Sequence, residues 1–360
     1  MSDTAATAAS VWREPVHGGH VPREAFQLSG IEQLRLFLSA RVARPPISYL
    51  TGMRPTEIGV GTSTFVMPIT DWLLTPQGIV AGGEVAILAD GPLGCAVQSV
   101  LPPRTAYATS EISISMVRPV PRSGTLVARG RMVHGGRQLA LSEVFVTDDA
   151  GRLIAHGTSR CVVFPSKPGG DGPPPELPPV QHAVEEGWQP PYERLAPGSV
   201  LAQEVWDARS GLDILRAQIA GELPDPPVYH LLGMRPVAVD EGTATFTVPA
   251  TGWLTSPLGS VEGGVTACLA DFALACAVQT TVPAGTAYAP TDLRVQFLRP
   301  VMPDGADVIA RATVVHRGRG VAIARADVTR SDGKLVATAT GSAIILPGRR
   351  VDLADSSALG

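Results

Sequence analysis

The apolar positions of this chain follow two patterns in turn. Residues 82–101 and 263–282 are apolar runs rich in Ala and Leu, and their length favours a buried helix over a strand. After each run, apolar and polar residues alternate, which predicts strands. Turn residues divide the first alternating stretch into segments at 110–117, 125–133, 139–147 and 153–163. One helix followed by a meander of strands predicts an α+β unit, in which an antiparallel sheet curls around the helix.

Weaker signals precede each apolar run. Residues 30–42 and 211–221 have the spacing of a short amphipathic helix, which we expect the following Pro-Pro pair to stop. Residues 62–68 and 243–249 alternate between apolar and polar positions. They predict one further strand ahead of each buried helix.

The pattern occurs twice because the sequence is an internal repeat. The segment PPISYLTGMRP at 45–55 matches PPVYHLLGMRP at 226–236, which sets an offset of 181 (226 minus 45). Trp72 and Trp253 match at this offset, and one extra residue after Gly305 changes it to 182. Identities at fixed spacing over this length indicate two copies of one domain.

The limits of the two copies divide the chain into five parts. They are an N-terminal segment (1–28), a first domain (29–165), a linker (166–209), a second domain (210–347) and a C-terminal tail (348–360). The linker opens with SKPGGDGPPPELPPV, which has too much Pro and Gly for a helix or a central strand. We expect a semi-extended linker, with a short strand or helical turn near 200–207.

Composition narrows the functional classes. Hydrophobic residues make up 44% of the chain and charged residues 17%, which is typical of a globular protein. A net charge of −4 offers no basic surface for nucleic acid or for an anionic membrane. No apolar run reaches the roughly 20 residues of a membrane span, and the N-terminus lacks the features of a signal peptide. The four cysteines have no C-x-x-C spacing, so we expect a reduced, cytoplasmic protein without a metal.

The order of elements and one motif resemble the hotdog fold, and in particular the acyl-CoA thioesterases of the phenylacetate-pathway type. Those proteins have His-Gly-Gly, six further residues, and then a catalytic Asp on the central helix. Here VAGGEVAILAD (80–90) and VEGGVTACLAD (261–271) keep the Gly-Gly, the spacing and the Asp. The resemblance implies two tandem hotdog domains that pair within one chain as a pseudo-dimer. It also implies an acyl-CoA substrate, no separate cofactor, and a homo-oligomer of such chains.

Thioester hydrolysis needs a group that stabilises an oxyanion and a group that activates water. The N-terminus of a helix supplies free N–H groups and the positive end of a dipole, and Gly82 and Gly263 leave that end open. A carboxylate supplies the base or nucleophile, and Asp90 and Asp271 are the only acids well inside the two helices. A lone Asp in so apolar a run is expected to have a raised pKa. The alternative is a buried Asp that caps a loop or the opposite helix.

The resemblance implies that each site is shared between the two domains. One site would join Asp271 to the loop 75–83, and the other would join Asp90 to the loop 256–264. Gly83 and Gly264 would contact substrate beside the helix ends. A hydroxyl is expected just before the third strand, where the first copy has Thr109 and the second has Pro290. The two sites are therefore expected to differ.

Both copies depart from the motif. Ala81 and Glu262 replace the His before Gly-Gly, and Thr75 and Ser256 replace an Asn six residues earlier. Thr75 and Ser256 retain a hydroxyl that can donate a hydrogen bond, although from a shorter side chain. Glu262 is either a replacement acid or base, or a solvated loop residue. The loss of the His and the Asn weakens the prediction of hydrolysis more than the prediction that the site positions a substrate.

Several basic residues are candidates for the phosphates of coenzyme A, but surface arginines at turns are common. They lie at the hairpins and before the conserved Pro turn of each copy: Arg118, Arg137, Arg299 and Arg319. We interpret His134 and His316, at the same hairpins, as structural. Val-His-Gly-Gly at 16–19 imitates the motif, but no helix with an Asp follows it. We interpret it as an N-terminal turn.

The leading hypothesis from the sequence is an acyl-CoA thioesterase. A non-hydrolytic acyl-CoA binding or regulatory protein is the alternative that the missing His and Asn favour. A hydratase or dehydratase is a third possibility, because double hotdog proteins include such enzymes. Neither copy has the adjacent Asp and His that those enzymes use.

Overall fold

The computed structural model of the protein describes residues 10–164, 176–179 and 187–351. Part of the predicted linker and most of the predicted C-terminal tail therefore lie outside the described residues. Each repeat contributes two short helices, a strand pair, a long central helix and four further strands. The helices are α1 (Gly30–Leu38), α2 (Pro46–Thr51), α3 (Gly82–Gln98), α4 (Gln203–Ala208), α5 (Gly211–Ile219), α6 (Pro227–Leu232) and α7 (Gly263–Gln279).

The strands follow the same order in both repeats. The first repeat has β1 (Arg54–Gly59), β2 (Thr62–Ile69), β3 (Tyr107–Met116), β4 (Gly124–Gly135), β5 (Leu139–Thr147) and β6 (Leu153–Val163). The second has β7 (Arg235–Asp240), β8 (Thr243–Pro249), β9 (Thr286–Phe297), β10 (Asp307–Arg317), β11 (Val321–Arg330) and β12 (Leu335–Pro347).

The central helices and the alternating strands agree with the sequence prediction. Ahead of each central helix, however, the structure has two short helices and two strands, where the sequence predicted one of each. The first helices end at Leu38 and Ile219, seven residues before the Pro-Pro pairs, so these pairs do not stop them as expected. The pairs begin a second helix instead. Pro46 and Pro227 occupy the first position of α2 and α6, where the missing N–H costs nothing and the fixed φ suits a helix. The strands β1 and β7 had no clear alternation in the sequence. The segment near 200–207 contributes a helix, α4, and no strand.

All twelve strands form one antiparallel sheet that runs through both repeats, in the order β1-β2-β4-β5-β6-β3-β9-β12-β11-β10-β8-β7. The repeats join where β3 pairs with β9, with Ile112 opposite Val295. An ion pair of 2.8 Å between Glu111 and Arg294 also crosses this junction. The fold is the double hotdog expected from the sequence, with the pseudo-dimer closed within one chain.

The central helices α3 and α7 pack against each other and against the buried face of the sheet. Their contact depends on glycine. A Cβ at Gly83 would lie 2.9 Å from Cα of Cys268, and one at Gly264 would lie 2.6 Å from Cα of Ile87. Each helix thus begins against the middle of the other, and the two run antiparallel. This crossing brings the N-terminus of each helix to the Asp of the other.

Two extended arms hold the loops that precede the central helices. The arm at residues 10–21 lies on the second repeat, where Trp253 donates its indole N–H to the Glu14 carbonyl at 2.9 Å. The arm at residues 187–201 lies on the first repeat, where Trp72 donates in the same way to the Arg194 carbonyl at 2.9 Å. An ion pair of 2.8 Å between Glu14 and Arg194 links the arms. The two arms therefore occupy equivalent places.

Candidate active site

The structure brings each central Asp to the N-terminus of the other repeat's helix. The Gly83 N–H donates to Oδ2 of Asp271 at 2.8 Å. The Gly264 N–H donates to Oδ2 of Asp90, also at 2.8 Å. Both sites are therefore composite, with the carboxylate from one repeat and the backbone donor from the other. Each Asp also caps the opposite helix, so this contact alone does not separate a catalytic from a structural role.

Burial raises the pKa of both carboxyl groups toward neutrality. The pKa of Asp90 rises to about 6, with burial opposed by the N–H groups of Gly264 and Gly263. The pKa of Asp271 rises to about 7, with burial opposed by the Gly83 N–H and reinforced by the charge of Asp292. A carboxylate whose pKa lies near the working pH is well suited to accept a proton and to return it. Asp90 is the more fully ionised of the two at neutral pH.

The Asp271 side opens into a cavity of about 300 Å³ along α7. Thr75, Ala81 and Gly82 of the first repeat form one wall, and Phe272 of the second forms part of another. The Thr75 hydroxyl donates to the Ile79 carbonyl at 2.9 Å and so closes its own loop.

The cavity also has polar side chains that the sequence analysis missed. They are Gln77, Tyr229, Gln279 and Tyr288. The Tyr288 hydroxyl donates to Oε1 of Gln279 at 2.9 Å, whereas the buried Tyr229 hydroxyl has no hydrogen-bond partner in the described ranges. Gln98 and Tyr107 match Gln279 and Tyr288 in the repeat alignment, and this identity was the available signal.

Pro290 lines the Asp271 cavity, so this cavity has no hydroxyl at the position expected to lie before the third strand. The matching Thr109 belongs to the Asp90 side. Burial raises the pKa of the Cys161 thiol. The Thr109 hydroxyl lowers it and the charge of Asp90 raises it, but burial is the largest of these effects. Both β3 and β9 contain a bulge at this point, immediately after Thr109 and Pro290. Bulges of this kind redirect side chains beside functional sites.

The loop that faces Asp90 contains Ser256, Glu262 and Gly263. The Ser256 hydroxyl accepts a hydrogen bond of 3.2 Å from the Leu258 N–H, so it also stabilises its own loop. Glu262 is 6% exposed, which excludes the solvated loop residue considered from the sequence. A Cβ at Gly263 would lie 2.9 Å from Oδ2 of Asp90, so glycine at this position allows the Asp90 carboxylate to approach the helix end.

Glu84, which the sequence analysis did not single out, is buried in the first turn of α3. Burial raises its pKa well above the usual value, and the charge of Asp271 adds to that effect. The backbone N–H groups of Glu84 and Ala81 lie close enough to oppose the rise. Neither carboxyl oxygen has a hydrogen bond of full geometry to a described residue. Val265 takes its place in the second repeat, so the carboxyl is particular to the Asp271 side.

The arginines proposed from the sequence are not brought to one place. Arg118 lines the Asp271 cavity, but its guanidinium donates to the Leu153 carbonyl at 2.9 Å. Arg299 makes the equivalent bond of 2.6 Å to the Leu335 carbonyl. Arg137 and Arg319 are exposed at their hairpins. Their role in binding coenzyme A stays a prediction.

The His of the N-terminal Val-His-Gly-Gly segment is part of the arm packing. The His17 ring stacks on Trp188 with 3.9 Å between centroids. Nε2 of His20, three residues later, lies 3.0 Å from the Thr255 hydroxyl. These rings stabilise the loop that leads to Glu262.

The sequence profile of the thioesterase superfamily matches the chain twice, over residues 77–155 and 258–337. Both repeats of this chain belong to the thioesterase superfamily. The two matched stretches contain both Gly-Gly motifs and both Asp residues. A search of the curated proteins returned no match to this chain.

Two solved structures of similar length share the fold of this tandem thioesterase-superfamily chain. A hot dog fold protein of unknown function from Alicyclobacillus acidocaldarius is 15% identical, with 83% of this chain and 97% of that chain covered and a TM-score of 0.52. The tesB protein of Mycobacterium avium subs paratuberculosis is 13% identical, with 84% and 98% covered and a TM-score of 0.52. A putative thioesterase from Ralstonia eutropha, described as phenylacetic acid degradation-related, is 33% identical over 36% of this chain and 98% of its own, with a TM-score of 0.34.

Among the described residues, no helix is long and apolar enough to cross a bilayer. The same residues contain no group of three or more His, Cys, Asp and Glu side chains placed to hold a metal ion.

Proposed function

We propose that this protein is an acyl-CoA thioesterase that hydrolyses its substrate at the Asp90 site. The observation that carries the proposal is the distribution of polar groups between the two sites. The Asp90 side combines a carboxylate, the Thr109 hydroxyl and the N-terminus of α7, where Gly263 is partly exposed. The Asp271 side has Pro290 in place of that hydroxyl.

In the proposed reaction, ionised Asp90 accepts a proton from a water molecule. Its Oδ2 is held by the Gly264 N–H, which leaves Oδ1 to face the water, and Thr109 orients that water. The water oxygen attacks the thioester carbonyl carbon, and the N–H end of α7 at Gly263 stabilises the oxyanion. The carbonyl re-forms as the carbon–sulfur bond breaks, and the proton passes from Asp90 to the departing coenzyme A thiolate. The products are a carboxylic acid and the free thiol.

The Asp271 cavity supports a second candidate function, acyl-CoA binding without turnover. Its volume of about 300 Å³ suits a small ligand. Ala81 and Pro290 line it where the motif resemblance expects polar groups, and the pKa of Asp271 is higher than that of Asp90. This arrangement favours retention of an acyl group over its hydrolysis. Fusion of two domains allows one site to keep catalysis while the other acquires a binding role.

Thiol release from a panel of short, long and aryl acyl-CoAs tests the thioesterase proposal. We expect wild-type protein to hydrolyse at least one of them. A variant with both Asp90→Asn and Asp271→Asn should lose about 100-fold or more in kcat, because removal of a positioned general base costs on that order. Circular dichroism checks that the variant is folded. If wild type releases thiol from no substrate but binds a non-hydrolysable thioether analogue tightly, the thioesterase proposal is wrong and the acyl-CoA binding function is supported.

A further inference from the structure

Glu262 lies at the point where the Asp90 site meets the N-terminus of α7. It is the residue immediately before the helix, yet its side chain makes no capping hydrogen bond to that helix. Its backbone N–H donates to the Leu254 carbonyl at 2.9 Å, which fixes the main chain. The side chain is 6% exposed, and its Oε2 has no hydrogen-bond partner within the described ranges. A buried polar atom of this kind is costly, so its retention requires a reason.

The equivalent residue of the first repeat shows what a side chain at this position faces. Ala81 precedes α3 at the same offset of 181 residues (262 minus 81) and lines the Asp271 cavity. Position 262 is thus the equivalent wall position of the Asp90 site. Glu262 places a carboxyl group where Ala81 leaves only a methyl group.

The groups that face Glu262 from α3 determine its charge. Burial raises the pKa of Glu262 well above its usual value, and the charge of Asp90 raises it further. Burial also raises the pKa of Cys95 to about 12, and Asp90 and Glu262 both contribute. The charges of Asp90 and Glu262 both raise the pKa of the Cys95 thiol, so the two carboxyl groups lie on the same side of the site. Asp90 receives the hydrogen bond from Gly264, whereas Glu262 has no such donor and its pKa is raised well above the usual value. Both facts favour the protonated form of Glu262.

We propose that Glu262, as a neutral carboxylic acid, donates a hydrogen bond to the thioester carbonyl oxygen beside the N–H of Gly263. The inference rests on the proposed function and assigns a further catalytic residue to it. A protonated carboxyl group has one O–H donor, and a buried acid held neutral is an effective donor to an oxyanion. The bond strengthens as charge develops on the oxygen, so it lowers the barrier more than it tightens substrate binding. No proton leaves Glu262 in the cycle.

Three variants test this role. Glu262→Ala removes the donor, and we expect kcat to fall by about 100-fold with KM changed little, as for loss of one oxyanion donor. Glu262→Gln keeps a donor of similar length and is expected to retain activity within about tenfold of wild type. Glu57→Gln is the control, because Glu57 is exposed on β1 and belongs to neither site, and its kcat should equal that of wild type.

Each outcome separates this inference from the thioesterase proposal. If wild type releases thiol and Glu262→Ala releases it equally fast, the catalytic role of Glu262 is wrong and the thioesterase stands. A Glu262→Gln variant as slow as Glu262→Ala would show that the donor is not what matters. Faster release by Glu262→Ala would mean that Glu262 obstructs the site. Wild-type protein without any thiol release overturns both proposals.

Discussion

The raised pKa of Asp271 predicts a pH-dependent stability that one substitution removes. The folded-state pKa of about 7 exceeds the ordinary value of 3.8 by about three pH units. At 1.36 kcal/mol per unit, this difference corresponds to about 4 kcal/mol. The folded state holds the proton that the unfolded state releases, so wild type loses this stability as pH rises from about 4 to about 7. Asp271→Asn cannot titrate and should not show the loss.

Urea unfolding, followed by tryptophan fluorescence at pH 4 and pH 8, measures the effect. Relative to wild type, Asp271→Asn should gain about 4 kcal/mol more at pH 8 than at pH 4. Comparison of the two pH values cancels any constant difference between Asn and Asp. Asp148→Asn is the control: burial raises the pKa of Asp148, but hydrogen bonds from Arg152 and Ala150 leave it lowered. Its stabilising contribution disappears only below about pH 4, so the cost of that substitution should be similar at both pH values.

An equal effect of Asp271→Asn at pH 4 and pH 8 would refute the reasoning. It would mean that Asp271 ionises in the folded protein as readily as in the unfolded chain. Burial at the end of α3 would then not control its charge. The same argument from burial sets the charge of Asp90, so the proposed division between the two sites would lose its electrostatic basis.

Two further predictions concern catalysis and packing. The value of kcat/KM should rise with pH and level off above about 6, because Asp90 must be ionised to accept a proton from water; a profile independent of pH between 5 and 7 would contradict this. Gly264→Ala should destabilise the fold by about 3 kcal/mol in urea unfolding, because its Cβ would lie 2.6 Å from Cα of Ile87. Gly320→Ala, with nothing within 4 Å, should change stability by less than about 0.5 kcal/mol.

Much of the fold could be predicted because the same hydrophobic pattern occurs at matching positions in both repeats. The long runs are predominantly apolar in both copies, and the segments that follow alternate between apolar and polar positions in both copies. The helices α2 and α6 were missed because Pro-Pro was considered only as a stop signal, whereas Pro46 and Pro227 also favour the first position of a helix. The arms were missed for a different reason. Their contacts use the backbone carbonyl groups of Glu14 and Arg194. Every residue has such a carbonyl, so the sequence does not indicate these contacts.

The parts of the site and their pairing across the two repeats could be predicted, the parts from spacing and the pairing from the resemblance. The crossing of α3 and α7 places Asp90 against Gly264, within the loop expected to face it. Glu262 illustrates the limit of prediction most clearly. A glutamate in a loop is usually solvated, whereas Glu262 is buried, and residue type alone does not show this.

The central claim is that hydrolysis takes place at the Asp90 site. Its most direct test compares the rates of thiol release of Asp90→Asn and Asp271→Asn, on the best acyl-CoA of the panel and at saturating substrate. We predict that Asp90→Asn lowers kcat by about 100-fold or more, and that Asp271→Asn lowers it far less. A large loss confined to Asp271→Asn would contradict the account, because it would place the working base in the cavity that contains Ala81 and Pro290.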